Sequence, residues 1–306
     1  MDTKQIEYIL KIAEENNITK AAEKLFITQS ALNQQLLKLE KELGTPLFHR
    51  SRTNWRLTEA GEIYIEGAKA ALQIKNTTYN RIYDVVSARK GHLTIGLTPG
   101  RGLRMFTAIY PELHRSFPNL DVRPIEMRVR VQQDAIAKGE IDVGLMTLAR
   151  RDQTSDTYYP LKQEELVLII PAGHPLAEKA APSGEPLATL DLTELRYEPF
   201  VLMDKTSTLR SSCDLLFEKA GFAPNILFET NNTSGIAAMV QSTLCCGIIP
   251  RYYTLGLTEG VACFSLPERP SWEIVISCQK NAYLNSGARE FIRLAREYWE
   301  NSAPLF

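Results

Sequence analysis

Gln29, Ser30, Asn33 and Gln34 fall one, four and five residues apart, which is one face of a helix. A glutamine or asparagine amide offers a donor and an acceptor side by side, matching an adenine edge in the major groove. Lys38, a turn later, and the hydroxyl of Thr28 suit phosphate oxygens, which fix register without reading sequence. Further on, residues 49–56 carry Arg50, Arg52 and Arg56 with no acid among them, a local basic cluster fit for the same phosphates. A second set of polar residues has a different character. Thr98-Pro99-Gly100-Arg101, Thr147, Thr206-Ser207-Thr208 and Asn231-Asn232-Thr233-Ser234 are rich in hydroxyls and amides. Such groups suit a carboxylate or another small anion, with Arg101 or Arg104 as counter-charge. Each set also has a plainer reading: a solvated helix start for the first, helix caps for the second.

Little else in the chain could do chemistry. A Gly-x-Ser-x-Gly elbow, His-Glu-x-x-His, Cys-x-x-Cys and a Walker loop are all missing, and Gly100-Arg101-Gly102 has Met105 where a dinucleotide fingerprint needs glycine. His49, His92, His114 and His174 lie far apart. The expectation is therefore a protein that is not an enzyme and uses neither metal nor cofactor. The five cysteines, Cys213, Cys245, Cys246, Cys263 and Cys278, are odd in number and lack ligand spacing, which fits free thiols in a reducing cytoplasm. A thiol switch at Cys245-Cys246 stays open beside a ligand sensor, although apolar neighbours mark core cysteines. A sensor that has lost its ligand is a third reading. No run of about 18 apolar residues is present, so no helical membrane span is expected. The first residues lack the pattern of a signal peptide.

The elements that must position these residues follow from periodicity. Ile6, Ile9, Leu10 and Ala13 mark a first amphipathic helix, broken at Asn16-Asn17. Thr19 is a candidate cap for a short second helix over 20–25, whose Ala21 and Ala22 allow a third helix to cross closely. Thr28 caps that third helix, 29–43, with Leu32, Leu36 and Leu39 inward; Gly44 and Pro46 end it. Residues 1–61 hold nine basic and eight acidic side chains, so the arginine cluster stands out against a balanced background.

These residues carry a resemblance. Residues 18–25 (Ile-Thr-Lys-Ala-Ala-Glu-Lys-Leu), 28–36, 39–50 (Leu-Glu-Lys-Glu-Leu-Gly-Thr-Pro-Leu-Phe-His-Arg) and 57–61 (Leu-Thr-Glu-Ala-Gly) closely resemble LysR-type transcriptional regulators. The resemblance implies a winged helix-turn-helix over 1–58, with recognition helix 29–43 and a wing around 50–56. Asn33 stands where the family often has serine, Gln34 where a basic residue is frequent, and Leu37 at a commonly polar position. These departures bear on which bases are read. The DNA-binding set is then Thr28, Gln29, Ser30, Asn33, Gln34, Lys38, Arg50, Arg52 and Arg56.

Thr58 caps a long helix over 59–90, whose Ile65, Leu72, Tyr79 and Val86 repeat every seven residues, with Ala68 and Ile82 at the companion position and Lys75 interrupting. Such a stripe forms either a dimer seam or a contact with its own domain. The resemblance implies a homodimer through this linker, often paired again into a tetramer. Two recognition helices then reach double-stranded DNA at an inverted-repeat operator. RNA polymerase is a further candidate partner.

From residue 91 the pattern alternates. Strands are expected at 93–97, 121–127, 142–146, 166–170, 200–203, 226–229, 248–250 and 274–278, and helices at 103–117, 132–138, 209–220, 234–242 and 288–300, an α/β arrangement. The resemblance implies a two-lobed, periplasmic-binding-protein-like (type 2) effector-binding domain over 91–306. Lobe I comprises 91–160 and 268–306 and lobe II 161–267, with crossings near 160–163 and 266–270. Ligands of such sheets lie at the carboxyl ends of strands. The candidate effector site is thus Thr98, Gly100, Arg101, Thr147, Thr206, Ser207, Thr208, Asn231, Asn232 and Thr233.

Overall fold

The computed structural model describes residues 2–51, 55–86, 89–182, 184–257 and 259–302. The chain divides into two compact units, Met1–Gly91 with Lys138–Glu140, and the remainder.

In the first unit, α1 (Thr3–Glu15) starts on the Asp2 carboxylate, which accepts from Lys4 N, and turns Ile6, Ile9 and Ile12 inward. Asn17 caps α2 (Ile18–Lys24) by accepting from the Thr19 and Lys20 amides. The cap expected at Thr19 is therefore displaced: Asn17 lies earlier, satisfies two orphan amides at once, and is at least as good a cap. Ala21 and Ala22 are buried where α3 (Gln29–Leu43) crosses. Thr28 Oγ1 accepts from Ala31 N at 3.2 Å, and Gly44 closes the helix at φ 72°. Strands β1 (Phe48–His49) and β2 (Arg56–Leu57) pair antiparallel as the base of a wing.

Helix α4 (Glu59–Val85) is capped by Thr58, whose hydroxyl accepts from Gly61 N and donates to Pro46 O. A Cβ at Gly61 would lie 2.1 Å from the Leu47 carbonyl oxygen, so only glycine lets α4 meet the loop before β1. The expected seven-residue stripe divides in two. Ile65 and Ala68 are buried in the same core as α1, with Leu72 packed against it, whereas Tyr79, Ile82 and Val86 remain 47%, 52% and 63% exposed. The helix ends five residues before the expected 90, and residues 90–92 already belong to a strand.

The second unit contains β3 (Lys90–Leu97), α5 (Arg101–Ser116), β4 (Asn119–Glu126), α6 (Val129–Ala137), β5 (Val143–Leu148), β6 (Thr157–Pro171), β7 (Pro199–Met203), α7 (Thr208–Lys219), β8 (Asn225–Thr230), α8 (Thr233–Gln241), β9 (Gly247–Pro250), β10 (Val261–Ser265), β11 (Ser271–Cys278) and α9 (Ser286–Glu300). One sheet runs β10-β6-β11-β5-β3-β4, with β9 also on β6; β7 and β8 pair separately and parallel. Hydrogen bonds between Cys246 and the backbone of Pro199 and Val201 tie that pair to the start of β9.

The crossing between lobes expected near 160–163 falls inside a continuous strand. Strand β6 runs unbroken through it, bonding β11 over residues 157–165 and then β9 and β10 over 166–171. Strand β10, not anticipated, supplies the outer partner. Apolar residues face both sides of each lobe. Leu93, Val143, Phe291 and Trp299 fill one layer of the first lobe, and Phe200, Phe217, Ile248 and Phe264 one layer of the second.

Candidate functional site

The exposed face of α3 carries Gln29, Ser30, Gln34 and Lys38 in full view of solvent, with Asn33 half-buried and Leu37 45% exposed. Leu32, Leu36 and Leu39 on the opposite face are 0–3% exposed and fix the helix on α1 and α2. Thr28 spends an oxygen lone pair on its cap, which leaves its O–H to donate elsewhere. The turn before α3 places Phe26 at φ 55° and 95% exposed.

The basic loop is only partly available. Arg50 Nη2 donates to Glu40, its guanidinium lies 5.4 Å from the Trp55 ring centroid, and the other Glu40 oxygen accepts from Leu47 N at 2.8 Å. Glu40 is 8% exposed, so Arg50 completes a buried carboxylate that pins the wing to α3. The Trp55 amide donates to Asn16 O, tying the wing to the end of α1 as well. Arg56 is exposed beside His49, Arg50 and Ser51, and these four line a hollow of about 270 Å³. Arg52 lies outside the described residues.

In the second unit, the polar loop ends converge where its two lobes meet. Thr208 Oγ1 donates to Thr147 O at 3.0 Å, joining the start of α7 to the end of β5. Met127 N donates to Leu97 O, and Gly100 N to Glu126 Oε1 at 3.2 Å, so the start of α5 sits against the end of β4. Arg128 then reaches across. Its Nη1 donates to Asp204 Oδ1 at 3.0 Å and to Thr206 Oγ1 at 2.5 Å, while Thr206 Oγ1 donates to the same Asp204 oxygen. Burial works against the Asp204 charge, but these hydrogen bonds and Arg128 outweigh it and hold the carboxyl below its usual range. Arg151 makes a second crossing, donating to Ser212 Oγ at 3.0 Å.

Two other members of the set, Ser207 and Asn232, act as caps. Ser207 Oγ accepts from Leu209 N, Asn232 Oδ1 from Ser234 N, and Thr233 Oγ1 donates to Met203 Sδ at 3.7 Å. Asn231 is exposed beside them, and Asp204 N donates to Thr230 O, which brings the 231–233 segment to the same place.

Arg101 is not the solvent-facing counter-charge its position suggested. It is 6% exposed, donates to Glu164 Oε2, and lies 5.4–5.8 Å from the ring centroids of Tyr252, Tyr253 and Trp272. Glu164 also accepts from Trp272 Nε1 at 2.7 Å and Tyr252 N at 2.9 Å, so both charges are fully matched inside the protein. Arg128, by contrast, is 45% exposed where the lobes meet. Sequence could not single it out, because its partners Asp204 and Thr206 lie 76 and 78 residues away.

The thiols are poor nucleophiles here. Burial pushes Cys213 and Cys246 up to about 12 and Cys263 to about 11, and it raises Cys245 and Cys278 as well. None of the helices among the described residues is long and apolar enough to cross a membrane.

Comparison with known proteins fits both halves. Residues 3–62 match the family described as bacterial regulatory helix-turn-helix protein, lysR family, and residues 87–300 match the LysR substrate binding domain. The chain is 30% identical to the uncharacterized HTH-type transcriptional regulator YcgK of Bacillus subtilis, over 97% of this chain and 94% of that one. It is 26% identical to the Hca operon transcriptional activator HcaR of Escherichia coli, over 97% and 98%. Among solved structures, a full-length OxyR variant from Pseudomonas aeruginosa superposes with a TM-score of 0.69 at 21% identity, covering all of both chains. Full-length CbnR complexed with its target DNA gives 0.66 at 21% identity, covering 97% of this chain and 100% of that one. A DNA-reading helix, a wing, a long linker and a two-lobed α/β domain thus occur in one chain, which belongs to the LysR family of bacterial transcriptional regulators.

Proposed function

We propose that this regulator reads an inverted-repeat operator as a dimer and is switched by a small anion held between the lobes of its second unit. The observation that carries the DNA half is the polar outer face of α3, with Gln29, Ser30 and Gln34 exposed at its start and Thr28, Lys38 and Arg56 beside them for phosphates. Arg50 contributes through the wing it positions, and Arg52 joins the phosphate set on its sequence alone.

Dimerisation rests on the outer half of α4, where Ile74, Tyr79, Ile82 and Val85 are 47–84% exposed. A water-facing apolar stripe of that kind is covered most simply by its own copy. Pairing of two dimers into a tetramer, and contact with RNA polymerase, extend the same reading.

The effector half rests on Arg128, 45% exposed at the meeting of the lobes and bonded to Thr206, with Thr98, Thr147 and Thr208 at the neighbouring ends of β3, β5 and α7. Asn231, the caps Ser207 and Asn232, and Thr233 at the start of α8 frame the rim, and Gly100 supplies the positive φ of 74° before α5. Arg101 serves as framework. An anion that favours one spacing of the lobes shifts the population of that arrangement, and only this differential affinity can move the DNA-binding equilibrium.

Footprinting of DNA upstream of the gene that encodes this chain, at several salt concentrations and with or without small carboxylates, tests the whole reading. The expected result is a protected inverted repeat, a steep loss of affinity with salt, and a footprint altered by at least one carboxylate. Protection that is absent, or insensitive to salt, would overturn it.

A further inference from the structure

Three polar side-chain atoms at the meeting of the lobes are shielded from solvent and have no hydrogen-bond partner among the described residues: Thr98 Oγ1, Thr147 Oγ1 and Asp204 Oδ2. The contacts already described bring them to one place. Thr147 is 3% exposed and touches the start of α7 through Thr208, Asp204 directly follows β7 in the loop to α7, and Thr98 precedes the start of α5. Val143, Leu145 and Thr147 alternate onto one face of β5, and Val143 and Leu145 pack in the same core layer as Met105 of α5. Leu97, just before Thr98, accepts from Met127 N, and the next residue, Arg128, reaches Asp204, so Thr98 lies at the same meeting of the lobes.

Buried polar atoms without partners are costly, and three at one interface between lobes form a demand for specific complementary groups. The chemistry of each atom limits what can meet it. A threonine hydroxyl can donate or accept. Asp204 is different: Oδ1 already accepts from Thr206 N, Thr206 Oγ1 and Arg128, and the carboxylate is held ionised, so Oδ2 can only accept. A second carboxylate, Glu126, faces the first turn of α5 through Gly100 N. A ligand that is only an anion would meet Arg128 and the hydroxyls but would stand against two acids.

We propose that the effector of this cleft is a small zwitterion of the α-amino acid type. Its ammonium donates to Asp204 Oδ2, and its carboxylate accepts from Arg128 and the hydroxyls of Thr98 and Thr147. This rests on the reading of the cleft as the effector site and narrows the anion to one that carries a donor. Asp204 becomes the residue that selects it. Access requires the lobes to part, which breaks the Arg128–Asp204 and Thr208–Thr147 contacts seen here, and the bound ligand takes their place between the lobes.

The test uses the full-length protein and a panel of the common L-amino acids. Each is compared with the carboxylic acid that lacks its amino group and the amine that lacks its carboxylate, by thermal shift and then calorimetry. The account expects at least one amino acid to raise the melting temperature and to bind at least tenfold more tightly than either truncated analogue. Asp204→Asn should remove that tenfold preference, because its amide keeps an acceptor for Thr206 but weakens the claim on an ammonium. The melting temperature of the ligand-free variant reports that it folds. Carboxylic acids that bind as well as their amino acids, with affinity lost in Arg128→Ala but not in Asp204→Asn, would overturn the zwitterion and leave the anion cleft standing. Stabilisation by no member of the panel would overturn both.

Discussion

Single residues carry most of the specificity in this chain, and some carry a cost. Phe26 holds a left-handed backbone conformation that an L-residue with a bulky side chain adopts at about 1–2 kcal/mol, and its ring is 95% exposed. Asparagine tolerates that conformation, so Phe26→Asn should raise the stability of the first unit by about 1 kcal/mol in a thermal or urea melt. An unchanged or lower stability would mean that the turn relaxes by itself. The thiols make a second case. With Cys213 and Cys246 pushed up to about 12 by burial, native protein at neutral pH should react with a maleimide far more slowly than denatured protein. Rapid labelling that alters DNA binding would revive a thiol switch. Residue types and spacing foretold which side of α3 faces solvent, where Gln29 and Gln34 are exposed and Asn33 half-buried. They misplaced Arg101, because only the fold reveals that Glu164, 63 residues away, already holds its charge.

At the scale of elements, periodicity located most helices and strands, but it left the partner of each apolar face undecided. The stripe on α4 shows why. A repeat of seven looks the same whether it meets a second helix of another copy or the core of its own domain, and here Ile65 and Ala68 do the latter while Ile82 stays exposed. The proposed dimer seam is therefore confined to the outer half. Replacing Ile82 by Asp should turn the dimer into a monomer at micromolar concentration, read by light scattering, without lowering the helix content. A dimer that survives would move the seam elsewhere. Strand β6 teaches a related lesson. Sequence patterning marks a strand only over 166–170, yet Thr157–Pro171 is continuous because different partners satisfy its two halves. The N-cap of α2 shifted for a local reason, that Asn17 and Thr19 are both competent and the earlier one reaches two amides.

For the whole molecule, the crossing between lobes is held by buried charge. Glu165 is fully buried, and its burial raises the cost of ionisation. Hydrogen bonds from Arg269 and Ser265, with the charges of Arg269 and Arg251, outweigh that cost and hold its carboxyl below the usual range. A carboxylate whose folded value is depressed stabilises the protein above its unfolded value and loses that contribution as pH falls through the folded one. Melts between pH 7 and 3 should show the second unit losing stability toward acid, and Glu165→Gln, less stable at neutral pH, should lose less of its remaining stability over that range. A parallel decline in both proteins would assign the acid sensitivity to other groups. The proposed coupling of effector to DNA needs such a frame, because lobes that part must hinge on something that does not. The claim beneath all of this is that α3 reads bases, and selection of the full-length protein and its Gln29→Ala variant on randomised double-stranded DNA tests it most directly. The account predicts an inverted repeat enriched by the parent, and a variant that loses preference at one position of each half-site with a cost of about 1–3 kcal/mol; identical motifs from both proteins, or no enriched motif at all, would contradict it.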